Sequence, residues 1–378
     1  MTCHDRGANQ RRLTRRALLA GGVGGSSLLA PRDARSRAAQ LEGSPVASPA
    51  GGEALRWQGR GLRVGGWGGE VQAALRDAIF DPFAAETGCD VREVFTDYDR
   101  LESDPAYADA LVVDPTWAAA ALAEGLVEPI PDDAVNRSLL GPVAATDGSI
   151  PAYAYAMVSA FRRDAVMRVE APVDWTAWWN TDRYAARRSL PRQALGTFEF
   201  ALLADGVPPA ELYPLDAERA ISSLERIKDQ VEDRWWDDGL QPIAWLSRNR
   251  ADFAAAWHYR VIAGQQDGRD VDFVWNQGLL IADHWVVPRG ARNQDVALDL
   301  IRFATSPPSQ SALARAIPLG PITPDAFDLL GPAESRLLPT APEHIDQLVA
   351  LDPAWWAANG TAVGERFDEW RTGAEADA

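Results

Sequence analysis

Between Leu62 and Val94 the sequence reads strand, helix, strand, and no other feature restricts the possible folds as much. Leu62-Arg63-Val64 is a short strand, and Gly65-Gly66-Trp67-Gly68-Gly69 is a turn. From Glu70 to Phe83 the apolar residues Val71, Ala74, Leu75, Ala78 and Ile79 recur at the i, i+3, i+4, i+7, i+8 spacing of one buried helix face. Gly88 ends that unit and Val91-Arg92-Glu93-Val94 is the next strand. Two strands joined through a crossover helix lie parallel in one sheet, which places the chain in the α/β class.

The alternation continues along the chain. Ala110–Val113 reads as a buried strand followed by a helix from Thr116 to Glu124. Val158–Phe161 reads as a strand, with a helix beginning at Trp175. Helices are expected over Phe198–Ala204 and Ala217–Val231, strands over Ala251–Trp257, Val271–Trp275 and Trp285–Pro288, and mainly helices from Asp295 onward. No internal repeat or heptad pattern interrupts the series. A chain of 378 residues has material for two lobes of ordinary size.

The first residues do not share this pattern. Arg11, Arg12, Arg15 and Arg16 precede an uncharged stretch, Ala17 to Ala30, and a basic region followed by a short apolar one is an export signal. Thr14-Arg15-Arg16-Ala17-Leu18-Leu19 fits the twin-arginine pattern, so residues 1–39 are expected to be a twin-arginine-type signal and 40–60 a flexible Gly/Ser/Pro-rich leader. Cys3 lies in the signal, which leaves Cys89 without an internal disulfide partner, and no Cys follows the apolar stretch to carry a lipid. A periplasmic or extracellular location is expected, and beyond the signal no apolar run is long enough to span a bilayer.

Charge narrows the partners. The whole chain carries −17 at neutral pH; eight Arg against two acids give residues 1–39 a net of +6, which leaves −23 for the remainder. Such a balance argues against nucleic acid or an anionic membrane surface. It suits a cationic ligand, and equally it serves solubility alone.

Several segments in order resemble the extracellular solute-binding proteins of the spermidine/putrescine type, the receptors of ABC importers. They are Leu62–Gly69, Phe80-Asp81-Pro82-Phe83 with Glu86-Thr87-Gly88, Trp175–Trp179, Glu199–Gly206, Tyr213-Pro214-Leu215-Asp216, Trp275-Asn276-Gln277-Gly278 through Asp283–Pro288, and Gly320-Pro321. The resemblance spans roughly residues 60 to 370. It implies a two-lobe periplasmic-binding-protein fold of type II, each lobe a mixed sheet flanked by helices, closing on a ligand by a hinge. Lobe 1 would comprise 61–156 plus 286–330, and lobe 2 157–285 plus 331–375, with crossings near Tyr155–Ser159 and Asp283–Val287. It further implies a monomer that delivers a polyamine-like solute to a membrane permease, without cofactor or metal.

By the same resemblance Trp67, Glu199, Trp257 and Asp283 line the cleft; Trp275 is a further ring for its wall, and His258, next to Trp257, is a further candidate contact. The chemistry suits an amine, since ammonium groups need carboxylate acceptors and aromatic faces. Asp283 interrupts the apolar run Leu279–Ala282, where an unpartnered carboxylate would be costly. The chain departs from the family at Trp257-His258-Tyr259, where Trp-Asn-Gly is usual, and at Ile281, where polyamine binders carry an aromatic. Paired Trp residues keep a sugar ligand open, and Tyr153 and Tyr155 read as alternating strand residues rather than ferric-ion ligands. Catalysis finds little support: His4, His258, His284 and His344 lack metal-site spacing, and no nucleophile elbow or phosphate loop appears beyond the signal. A hydrolase using His258, His284 and Asp283 is the enzyme alternative.

Overall fold

A computed structural model describes residues 55–376 apart from Pro142, Ala144 and 167–169, with side chains through Gly373. The expected twin-arginine-type signal (1–39) and the expected leader up to residue 54 lie outside the described residues.

The opening unit forms as its periodicity dictates. Strand β1 (Gly61–Gly66) leads into helix α1, built from Gly69–Leu75, a π-turn over Arg76–Phe80, and Asp81–Thr87. The π-turn has a local cause. Pro82 has no N–H and its ring crowds the carbonyl four residues back, and the preceding Asp81 N–H bonds Arg76, five residues back. All five expected face residues are buried. Gly88 closes the helix in the left-handed conformation (φ 74°) and β2 (Asp90–Phe95) pairs parallel with β1. At Gly65 a Cβ would stand 1.7 Å from the Val94 carbonyl oxygen, so only glycine allows the two strands to approach.

Strand β3 (Ala110–Val113), helix α2 (Pro115–Ala121), strand β4 (Ile150–Arg162), helix α3 (Trp175–Trp179), strand β5 (Arg188–Pro191) and helix α4 (Ala194–Ala204) follow. Then come β6 (Trp235–Trp236), β7 (Phe253–Trp257), α5 (His258–Gln266), β8 (Val271–Val286), α6 (Gln294–Ala304), α7 (Pro307–Ala316), β9 (Val349–Ala350) and α8 (Pro353–Ala376). The strands make one mixed sheet in the order β2-β1-β3-β8-β4-β7-β5-β6, with β9 added beside β8. Strands β4 and β8 are antiparallel partners along nearly their whole length, from Ile150 opposite Trp285 to Arg162 opposite Val271. At one end β8 pairs with β3 through His284–Val286, on the side expected to be lobe 1; at the other β4 pairs with β7 through Met157–Phe161, on the side expected to be lobe 2.

Three expectations change. The segments expected at Val271–Trp275 and Trp285–Pro288 are the two ends of one 16-residue strand, β8, which stops at Val286 and whose polar middle hid its continuity. The helix expected over Ala217–Val231 is two, Ala217–Glu225 and Lys228–Val231, parted at Ile227. Order begins before Leu62, because Trp57 docks on lobe 1. Its indole N–H donates to Asp299 (2.6 Å), its backbone N–H to the Thr87 carbonyl (2.8 Å), and Arg56 and Arg60 lie over its ring.

Candidate functional site

Register brings the site together. Tyr153 faces Asp283 directly across the β4–β8 pair, and Tyr155 lies two residues along on the same face of β4. Asp283 Oδ2 accepts from the Trp67 indole N–H (2.7 Å) and the Tyr153 hydroxyl (3.0 Å), and Oδ1 accepts from the Tyr155 hydroxyl (2.9 Å). The residue is only 3% exposed. Burial pushes its carboxyl up to about 7, against the pull of these three donors and with the like charge of Asp114 adding to the rise. Among the described residues no cation pairs with it. A buried carboxylate with three neutral donors and no counter-ion is poised to accept one, and Oδ1 retains a lone pair for it.

Aromatic rings wall the space around Asp283. Tyr155 meets Trp257 edge-on at 5.1 Å and Tyr259 at 6.4 Å. On the lobe 1 side Trp67 contacts Tyr98, which contacts Trp117. Tyr98 is fixed by donating to Asp114, the N-cap of α2, and by accepting from the Asp114 backbone N–H. At the end of β7 the chain turns into α5, which carries Tyr259 and Arg260. The Arg260 guanidinium lies 5.2 Å from the Tyr259 ring centre, and one of its terminal nitrogens pairs with Glu70 of α1 at 2.8 Å. Burial raises the Tyr259 hydroxyl to about 12; Arg260 opposes that rise, while Glu70 and Asp283 add to it, so all four groups share one field. The Arg260 Nε–H is buried and has no hydrogen-bond partner among the described residues.

Of the six residues expected at the cleft, Trp67, Trp257 and Asp283 come together. The other three point elsewhere, for reasons visible in their hydrogen bonds. Glu199 is fully buried inside lobe 2, where it accepts from the Gly196 N–H (2.8 Å), the Tyr213 hydroxyl (2.7 Å) and the Trp356 indole N–H (2.7 Å). It therefore ties α4 to α8 and makes no contact with the Asp283 group. His258 is buried too: Nδ1 accepts from the Ala156 N–H (3.1 Å) and Nε2 donates to the Pro318 carbonyl (2.7 Å), a neutral imidazole whose affinity for a proton burial lowers to about 4. Trp275 stacks on His344 at 4.4 Å and packs against Phe273 and the His258 ring, with no ring contact to Trp257 or the tyrosines of the Asp283 group among the described residues. His284 bonds Ser149 through Nδ1 (2.9 Å) on the opposite face of β8 from Asp283, so the suggested His258–His284–Asp283 grouping does not form. Tyr153 and Tyr155 matter through a role other than the ferric one considered. Arg260, Glu70 and Tyr98 carry no local sequence signal of this grouping, beyond the departure at Trp257-His258-Tyr259, one residue before Arg260.

One mixed sheet whose long strands β4 and β8 join its two ends, with a buried carboxyl and aromatic rings beside them, is the architecture of a solute-binding receptor. The profile of the bacterial extracellular solute-binding proteins matches residues 78–342, and the chain belongs to that family, the receptors of ABC importers, which act on the outer side of the cytoplasmic membrane. It is 29% identical over 331 residues to the gamma-aminobutyric acid-binding protein of Pseudomonas aeruginosa, covering 84% of this chain and 92% of that one. It is 25% identical over 258 residues to the spermidine/putrescine-binding periplasmic protein of Escherichia coli, covering 63% and 72%. Among solved structures, a GABA receptor superposes with a TM-score of 0.76 at 31% identity over 82% of this chain and 98% of that one. An ABC transporter substrate-binding protein from Bradyrhizobium japonicum gives 0.78 at 28% identity, over 82% and 99%. No helix among the described residues is long and apolar enough to cross a membrane.

Proposed function

We propose that this receptor captures a short amino acid whose amine and carboxylate sit at opposite ends, 4-aminobutyrate or a close analogue, and hands it to a membrane permease. The observation that carries the reading is the pair of unlike charges around one aromatic wall: Asp283 without a counter-ion, and Arg260 with a buried, unpartnered Nε–H. The ligand ammonium docks on Asp283 with Tyr155 and Trp257 beside it, its methylene chain lies along the rings, and its carboxylate accepts from Arg260. The resemblance to two GABA-binding proteins supports the same ligand class. A diamine fits less well, because the far end of the cleft offers a guanidinium, and the acid beside it, Glu70, is already paired with that guanidinium.

A thermal-shift and calorimetric panel tests the assignment. A ligand at a hundred times its Kd adds about 2.7 kcal/mol to folding, enough to move the midpoint by several degrees. 4-Aminobutyrate should produce that shift, and butylamine, butyrate, putrescine and glucose should not. A shift with putrescine alone would return the ligand to the polyamine class. The protein would act as a monomer, exported by its twin-arginine segment; Arg15→Lys with Arg16→Lys should leave it in the cytoplasm, and normal export of that variant would refute the route.

A further inference from the structure

Arg260 belongs to lobe 2 and Glu70 to lobe 1, so their 2.8 Å ion pair spans the cleft. The two partners are placed unequally. The Arg260 side chain is 9% exposed, whereas that of Glu70 is 42% exposed at the rim, in the first turn of α1. A guanidinium has two hydrogen-bonding edges. Glu70 takes a terminal nitrogen, NH1, and the Nε–H on the other side stays buried and unused. Arg260 is also fixed against the Tyr259 ring, so it does not turn freely between the two directions.

We propose that Glu70 is a positioning residue for ligand recognition: it holds one end of Arg260 across the closed cleft and so aims the Nε side at the ligand carboxylate. The proposal rests on the reading of Arg260 as the carboxylate-binding group. It gives Glu70 two linked effects. The ion pair raises the closed fraction before ligand arrives, and it orders a long side chain whose immobilisation would otherwise oppose binding. Glu70 does not compete with the ligand, because the two carboxylates use different nitrogens of one guanidinium.

The test pairs a ligand-free measurement with a ligand-bound one. Dyes placed through Phe95→Cys on lobe 1 and Leu240→Cys on lobe 2, both sites exposed and distinct from the buried Cys89, report lobe separation by energy transfer. Without ligand, Glu70→Gln should lower the high-transfer population, Glu70→Asp should recover part of it, and about 1 M salt should erase the difference between wild type and Glu70→Gln. By calorimetry Glu70→Gln should bind 4-aminobutyrate about tenfold more weakly, while its saturated state shows wild-type transfer. Unchanged ligand-free transfer together with unchanged affinity would overturn the proposal. Tighter binding by Glu70→Gln would also overturn it, since that is the signature of a competitor. If the wild type does not bind 4-aminobutyrate, the ligand assignment fails, and the ligand-free transfer still decides whether Glu70 holds the lobes together.

Discussion

On the proposed assignment a proton and a ligand ammonium compete for the Asp283 carboxylate, and that competition fixes how binding should depend on pH. Burial pushes this group up to about 7 in the ligand-free protein. The folded state thus keeps a proton that the unfolded chain has already released, so this group favours folding most below about pH 4, and the benefit is lost as pH rises toward 7. Affinity for an ammonium runs the opposite way. It is full above about pH 7 and falls about tenfold per unit below, because the proton must leave before the cation binds. Calorimetry from about pH 5.5 to 8 should show that slope. Asp283→Asn should remove it and weaken binding about 100-fold with the fold intact; a slope that survives in the variant would place the titrating group elsewhere. The sequence exposed Asp283 because a lone acid in an apolar run is locally conspicuous. It concealed Tyr153 and Tyr155, whose convergence depends on the β4–β8 register, and Arg260, whose importance comes from what lies across the cleft.

Helices and strands were legible where their signal is local. The buried face of α1 could be read from spacing alone, while the continuity of β8 could not, because its middle carries polar residues and breaks register with β4 between Leu279 and Val274. Glu199 illustrates the same limit for function. Its place at the start of a family-like helix suggested a ligand acid, yet three donors from α4, the Tyr213 segment and α8 consume it. Truncation should therefore act on stability. Glu199→Ala leaves the Tyr213 hydroxyl and the Gly196 N–H without their acceptor in a dry interior and the Trp356 indole N–H with only the Tyr213 oxygen, at a cost of about 3 kcal/mol. The melting midpoint should fall by several degrees, and the affinity of the protein that remains folded should stay within about threefold of wild type. A normal midpoint with lost binding would move Glu199 back into the site.

A closing motion of the kind proposed would have to be accommodated by β4 and β8, which are hydrogen-bonded partners from the β3 end of the sheet to the β7 end. A continuous antiparallel ladder resists bending, and the irregularities show where it yields. Register shifts fall between Pro151 and Tyr153 and between Met157 and Ser159, so they bracket the Tyr153–Met157 stretch that presents Tyr153 and Tyr155 to Asp283. On the proposed assignment the stretch that presents Tyr153 and Tyr155 keeps its ladder, and bending is expected at its two ends. A receptor built this way should change the separation of its lobes on binding while keeping its strand content. A compact chain of this size has a radius of gyration near 20 Å. Scattering from the ligand-saturated protein should approach that value, the ligand-free protein should be larger, and far-ultraviolet circular dichroism should be the same in both. Identical radii with and without a ligand that calorimetry shows to be bound would mean that the cleft is already closed, and that selection acts on entry rather than on closure.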